Sequence, residues 1–147
     1  MAKGALRAVL AGCGGISNAW LKPAKEIKGL EIVGLVDLHL EAAEGKKTKY
    51  ELADAKTGTD LRAMLDQTKP DIVFDCTTPE AHVHVTLEAL RHGCHVLGEK
   101  PLADTMANAR KMVAAAGKAG RTYAVIQNRR YNPKLIALRN LVASGKI

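Results

Sequence analysis

Short, almost unbroken apolar runs alternate with longer amphipathic segments along the chain, and this alternation constrains the fold more than any other feature. "ALRAVLAG" (5–12), "EIVGLVD" (31–37), "DIVFDC" (71–76), "CHVLGEK" (94–100) and "TYAVIQ" (122–127) read as strands buried on both faces, because they lack the strict polar–apolar alternation of a half-solvated sheet. Between them lie helical segments at 16–29, 40–55, 61–68, 79–93 and 105–120, and a last one follows at 132–145. Pro23 is placed to kink the first helix, Gly45 is a weak spot in the second, and Asp60 can cap the third. Pro79 near the start and Gly93 beyond the end bracket the fourth, and Gly145 stops the last. "TGTD" (57–60) is a short edge strand at best. Strands alternating with helices of this length imply βαβ units: an α/β, doubly wound, mainly parallel sheet covered on both faces.

Composition narrows the class. The chain has 147 residues, 47% of them apolar, which is enough for one real core, while the 3% aromatic share leaves Ala, Val, Leu and Ile to build it. No apolar run reaches a membrane span and "MAKGALRAVLAG" lacks a signal peptide's layout, so a soluble, cytoplasmic protein is expected. Cys13, Cys76 and Cys94 form no CxxC pair and are odd in number, which argues for buried free thiols rather than a disulfide framework or zinc site. The net charge of +7 is unevenly spread: residues 91–147 hold 11 Lys and Arg against only Glu99 and Asp104. A basic half can meet phosphates, nucleic acid or an acidic surface, or simply be a solvated face. Nucleic acid is disfavoured, because Tyr123 and Tyr131 are the only aromatics after residue 90.

In a doubly wound sheet the strands end at one edge and ligands bind there. After the first strand comes "GCGGIS": Gly12 permits a tight turn, Gly14 lets a pyrophosphate approach the backbone, and the helix opening near Ile16 offers free N–H groups. Ser17 stands where a third glycine is usual. Asp37 ends the second strand 25 residues after Gly12, where a carboxylate accepts from ribose hydroxyls and repels a 2′-phosphate. NAD is therefore expected over NADP; a role for Asp37 in capping the next helix is compatible with this. After "DIVFDC" come the hydroxyls of Thr77 and Thr78 and the stiff Pro79. His82 and His84 are two apart on a helix, the wrong spacing for shared metal ligation, so no metal site is expected. Neighbours in an extended segment point to opposite sides, so Glu99 and Lys100 cannot both face the crevice. Position alone leaves Lys100 open between a solvated tip and a group placed for chemistry.

"GCGGIS", Asp37, "DCTTPEAH", "GEKPLA" and "QNRRYNP" together resemble the Gfo/Idh/MocA family, in its order and at comparable intervals, across essentially the whole chain. The resemblance implies a Rossmann fold in an NAD(P)-dependent oxidoreductase acting on sugars, polyols or related hydroxy compounds, as a homo-oligomer at full length. It implies that Lys100 is the catalytic lysine beside the nicotinamide and the reacting hydroxyl. It also implies that Gly12, Gly14, Gly15, Ile16 and Asp37 hold the adenosine half and pyrophosphate, with Thr77, Thr78, Pro79 and His82 along the nicotinamide side and Glu99 and Gln127 nearby. Arg129 and Arg130 fall where the family passes toward its second domain, and there substrate contact and surface charge stay open.

The sequence thus reads as a dinucleotide-binding domain at 1–131 and a terminal helix at 132–147, which the resemblance implies leads toward a C-terminal domain expected to be absent from the chain. That domain carries the family's acid–base pair, so none of the 147 residues is assigned that role, and little or no turnover is expected from this piece alone. The alternative is a non-catalytic NAD(P)-binding sensor or regulatory module.

Overall fold

The structure is a computed structural model, and residues 4–147 are described. In chain order its elements are β1 (Leu6–Ala11), α1 (Asn18–Glu26), β2 (Leu30–Val36), α2 (Leu40–Lys49), β3 (Lys56–Gly58) and α3 (Leu61–Thr68). They continue with β4 (Ile72–Asp75), α4 (His82–Arg91), β5 (His95–Gly98), α5 (Met106–Ala119), β6 (Tyr123–Val125) and α6 (Pro133–Ala143). The six strands form one sheet in the order β3-β2-β1-β4-β5-β6, and every neighbouring pair is parallel. This is the doubly wound Rossmann topology that the alternation implies. The strand order reverses between β1 and β4, which opens a crevice at their C-terminal ends.

Successive residues of β1 feed opposite cores. Ala8 and Leu10 join the layer under α1 and α2 with Trp20, Leu21, Ala43 and Phe74. Val9 joins the layer under α3, α4 and α5 with Met64, Leu65, Leu90 and Val96. Leu10, Leu21, Leu35, Leu65, Val9 and Val73 are all sealed from solvent. Each contributes roughly 1.5–3 kcal/mol by leaving water. The register slips by one between Ala8 and Val9, where β2 carries an extra residue. Beside that bulge Gly34 admits the Met64 side chain: a Cβ there would lie 2.6 Å from its sulfur.

Several boundaries differ from expectation. α1 spans Asn18–Glu26 rather than 16–29, with Pro23 inside it and Trp20, Leu21 and Ala24 buried. The charged helix expected to reach Ala55 stops at Lys49; Glu51 takes φ 53° and Leu52 turns back to bond the Lys47 carbonyl at 3.0 Å. Tyr50 and Leu52 thereby pack onto the α1 layer, which a continued helix would prevent. β3 is Lys56–Gly58 rather than 57–60, and Asp60 caps α3 as expected. The helix α6 has no buried residue.

Candidate functional site

The C-terminal ends of β1, β2 and β4 meet at a cleft of about 590 Å³, walled by Gly12, Gly14, Ile16, Asp37, Thr77 and Thr78 among others. The glycine turn makes this possible. Gly12 sits at φ +90°, and its N–H donates to the Val36 carbonyl at 2.8 Å. A side chain there would strike the backbone of Cys76 and Thr77, so this glycine brings the β1 and β4 loops together. A Cβ on Gly14 or Gly15 would meet nothing within 4 Å. There the bare backbone leaves room for a ligand to approach.

Ser17, the departure from the usual third glycine, is fully buried and its hydroxyl donates to the Gly14 carbonyl at 2.6 Å. It therefore braces the turn without pushing α1 off the sheet. Among the described residues, the N–H groups of Gly14, Gly15, Ile16 and Ser17 donate to no protein acceptor. Four free donors at the head of a helix favour an anion.

Asp37 is oriented by two backbone donors. Cys13 N–H donates to Oδ2 at 2.7 Å and His39 N–H to Oδ1 at 3.0 Å. His39, not Asp37, occupies the cap position of α2. The carboxylate thus ties the glycine turn to the end of β2 and retains lone pairs for further donors from the cleft.

At the end of β4, Asp75 Oδ1 gathers the Thr77 hydroxyl at 2.5 Å, the Thr77 N–H at 3.1 Å and the His82 Nδ1 at 3.0 Å. His82 is 1% exposed, so the residue implied for the nicotinamide side lies in the core and can bear on the cleft only through Thr77. His84, on the opposite helical face, lines the cleft. Gly15, Pro79, Glu99, Lys100 and Gln127 are not among the cleft's lining residues. Lys100 is exposed at the tip of β5, and no carboxylate lies within ion-pair distance of it among the described residues. Glu99 is buried, and its carboxylate accepts from Trp20 Nε1 at 2.8 Å and from Lys100 N–H at 3.1 Å.

All three cysteines are buried and free. Burial pushes the Cys13 thiol up to about 12, with the Asp37 charge adding to the effect and Lys46 opposing it; burial likewise raises Cys76 at the cleft wall. Both remain neutral thiols near pH 7 and bring no nucleophile to the site. Sequence reading missed Asp75 and Trp20. The signal for Asp75 was a carboxylate closing an apolar strand, and for Trp20 it was the chain's only tryptophan, one turn into the helix after the glycines.

Residues 6–127 match the oxidoreductase family Gfo/Idh/MocA, NAD-binding Rossmann fold. The chain belongs to that family. Among similar Gfo/Idh/MocA relatives, a 1,5-anhydro-D-fructose reductase of Ensifer adhaerens is 33% identical over 138 residues, 94% of this chain and 41% of the relative. An inositol 2-dehydrogenase of Salmonella typhimurium is 31% identical over 144 residues, covering 97% and 43% respectively. The WlbA dehydrogenase of Bordetella pertussis, solved with NADH and UDP-GlcNAcA, superposes with a TM-score of 0.86 at 25% identity, over 99% of this chain and 41% of that one. A 3-ketoreductase of Actinomadura kijaniata solved with NADP shares the fold at a TM-score of 0.83 and 20% identity, over 97% and 45%. The chain therefore spans less than half the length of these family members.

Proposed function

We propose that this chain is the cofactor-binding part of an NAD-dependent oxidoreductase that passes hydride between nicotinamide and a carbon bearing a hydroxyl, in a sugar, polyol or related compound. The observation that carries the reading is the pairing, in one cleft, of a glycine turn with unspent N–H donors and a carboxylate oriented by two backbone bonds. The donors of Gly14, Gly15 and Ile16 would hold the pyrophosphate, and Asp37 would accept from the adenosine ribose hydroxyls. A 2′-phosphate would face the Asp37 charge, which favours NAD. When bound, the dinucleotide supplies the hydride acceptor. Thr77 and Thr78 border its nicotinamide side, with His82 and Asp75 fixing Thr77, and Pro79, Glu99 and Gln127 shape the surrounding loops. The Lys100 ammonium hydrogen-bonds the substrate oxygen and stabilises alkoxide character as hydride leaves the carbon. The named relatives act on a sugar derivative and a polyol, which supports that substrate class. By itself this chain is expected to bind cofactor with little or no turnover, and homo-oligomerisation is assigned to a longer form.

Calorimetric titration with NAD and NADP tests this reading. NAD should bind more tightly by at least about tenfold, the equivalent of ~1.4 kcal/mol, and Asp37→Ala should narrow that gap. No heat from either dinucleotide with folded protein would overturn the cofactor assignment. An unchanged preference in Asp37→Ala would remove the ribose role from Asp37.

A further inference from the structure

Glu99 and Lys100 are adjacent and oppositely charged, yet they form no ion pair; the carboxylate is instead turned into the protein. We propose that Trp20, acting through Glu99, is a positioning residue that keeps the Lys100 ammonium unpaired and available to the substrate oxygen. The proposal rests on the reading of Lys100 given above.

The geometry is that of a latch. Trp20 and Glu99 are each only 7% exposed, and the indole N–H donates to Glu99 Oε1 at 2.8 Å. The other carboxylate oxygen accepts the Lys100 N–H at 3.1 Å, while Glu99 N–H donates to the Asp75 carbonyl at 2.8 Å. The Trp20 ring is held in turn against Phe74, with centroids 5.5 Å apart and planes tilted by 48°. The indole therefore cannot swing away from Glu99 without losing aromatic packing in the α1 layer. With Glu99 held on the α1 side, its carboxylate is kept away from the exposed Lys100, which lies in the bend just beyond β5. The latch also joins two functional elements: Trp20 lies three residues beyond Ser17 on the helix that opens at the glycine turn.

Without the indole donor, Glu99 would be a nearly buried carboxylate short of a partner, which is costly. Its nearest relief is to leave the pocket and pair with Lys100 next to it. The ammonium would then be spent on a protein carboxylate and lost to a substrate oxygen. Trp20→Phe keeps an aromatic ring and removes the donor. Glu99→Gln keeps an acceptor for the indole and cannot form an ion pair.

The test reads Lys100 directly. Lysine amines carrying ¹³C-methyl groups are observed by NMR, Lys100 is assigned by its loss in Lys100→Arg, and NADH is titrated. The wild-type chain should show an NADH-dependent shift of the Lys100 signal. Trp20→Phe should still bind NADH, measured by cofactor fluorescence, and lose the Lys100 shift. The double variant Trp20→Phe/Glu99→Gln should regain it, a rescue that a merely structural role for Trp20 would not give. Because Trp20 is the only tryptophan, biosynthetic replacement by its benzothienyl isostere removes the N–H with the shape kept, and should act as Trp20→Phe does even if that variant folds poorly. A full Lys100 response in either donor-less protein overturns the proposal, as does failure of Glu99→Gln to restore it. A wild-type Lys100 signal silent to bound NADH instead overturns the reading of Lys100 on which the proposal stands.

Discussion

A methyl group added at Gly12 would stand 2.6 Å from the carbonyl carbon and oxygen of Cys76 and 2.8 Å from the Thr77 nitrogen, on a backbone at φ +90°. Those atoms follow β4 directly and are tied down, the Cys76 N–H donating to the Ala11 carbonyl at 2.8 Å and the Thr77 N–H to Asp75 Oδ1 at 3.1 Å. At Gly14 the same methyl meets nothing within 4 Å, yet it stands on the turn proposed above to receive the pyrophosphate. The two glycines therefore separate by experiment. Gly12→Ala should lower unfolding stability by roughly 2–4 kcal/mol in urea titration, the range for backbone strain combined with overpacking. Gly14→Ala should stay within about 1 kcal/mol of wild type, while its NAD affinity, measured calorimetrically, falls at least about tenfold. Equal losses of stability would show that both glycines serve the turn alone.

Each element shows what local chemistry decides and what packing decides. The Asp60 side chain accepts the Ala63 N–H at 3.0 Å, so α3 begins where a capping residue meets the first apolar turn. Asp60→Ala should cost about 1 kcal/mol, read as a lowered thermal midpoint; an unchanged midpoint would remove the cap from α3's stability. Such a cap is legible in the sequence because one residue type satisfies a need three residues away. The order of strands and helices is legible for a similar reason, since the apolar period changes as the chain passes from one to the other. The end of α2 is not. Tyr50 and Leu52 preserve an acceptable helical pattern, and only their burial beside α1 draws the chain into the turn at Glu51. The site divides the same way. Gly12 and Asp37 announce themselves because turn geometry and a carboxylate at a strand end restrict residue choice. The bond between Trp20 and Glu99 joins residues 79 apart, and the burial of His82 against Asp75 depends on how α4 settles on the sheet. No local pattern encodes either.

Across the molecule, burial stops before the chain does. The sheet and α1–α5 enclose both core layers, whereas Leu135, Ile136, Leu138, Leu141 and Val142 of α6 are all between 38% and 55% exposed. On the α1 side of the sheet, Ile72, Leu97 and Ile126 are only partly buried. A helix with no buried residue contributes little to folding, since its own propensity is marginal at 11 residues. A chain ending at residue 131 should therefore unfold within about 1 °C of the 147-residue chain, less than the ~2–4 °C that 1 kcal/mol moves the Tm of a domain near 150 residues. Its affinity for NAD should be unchanged, because every residue lining the cleft precedes residue 86. Shedding these five apolar side chains together with the exposed Ile147 should also weaken concentration-dependent self-association, read by sedimentation. A fall in Tm of more than about 5 °C would place α6 in the cooperative unit and move the domain boundary to the end of that helix.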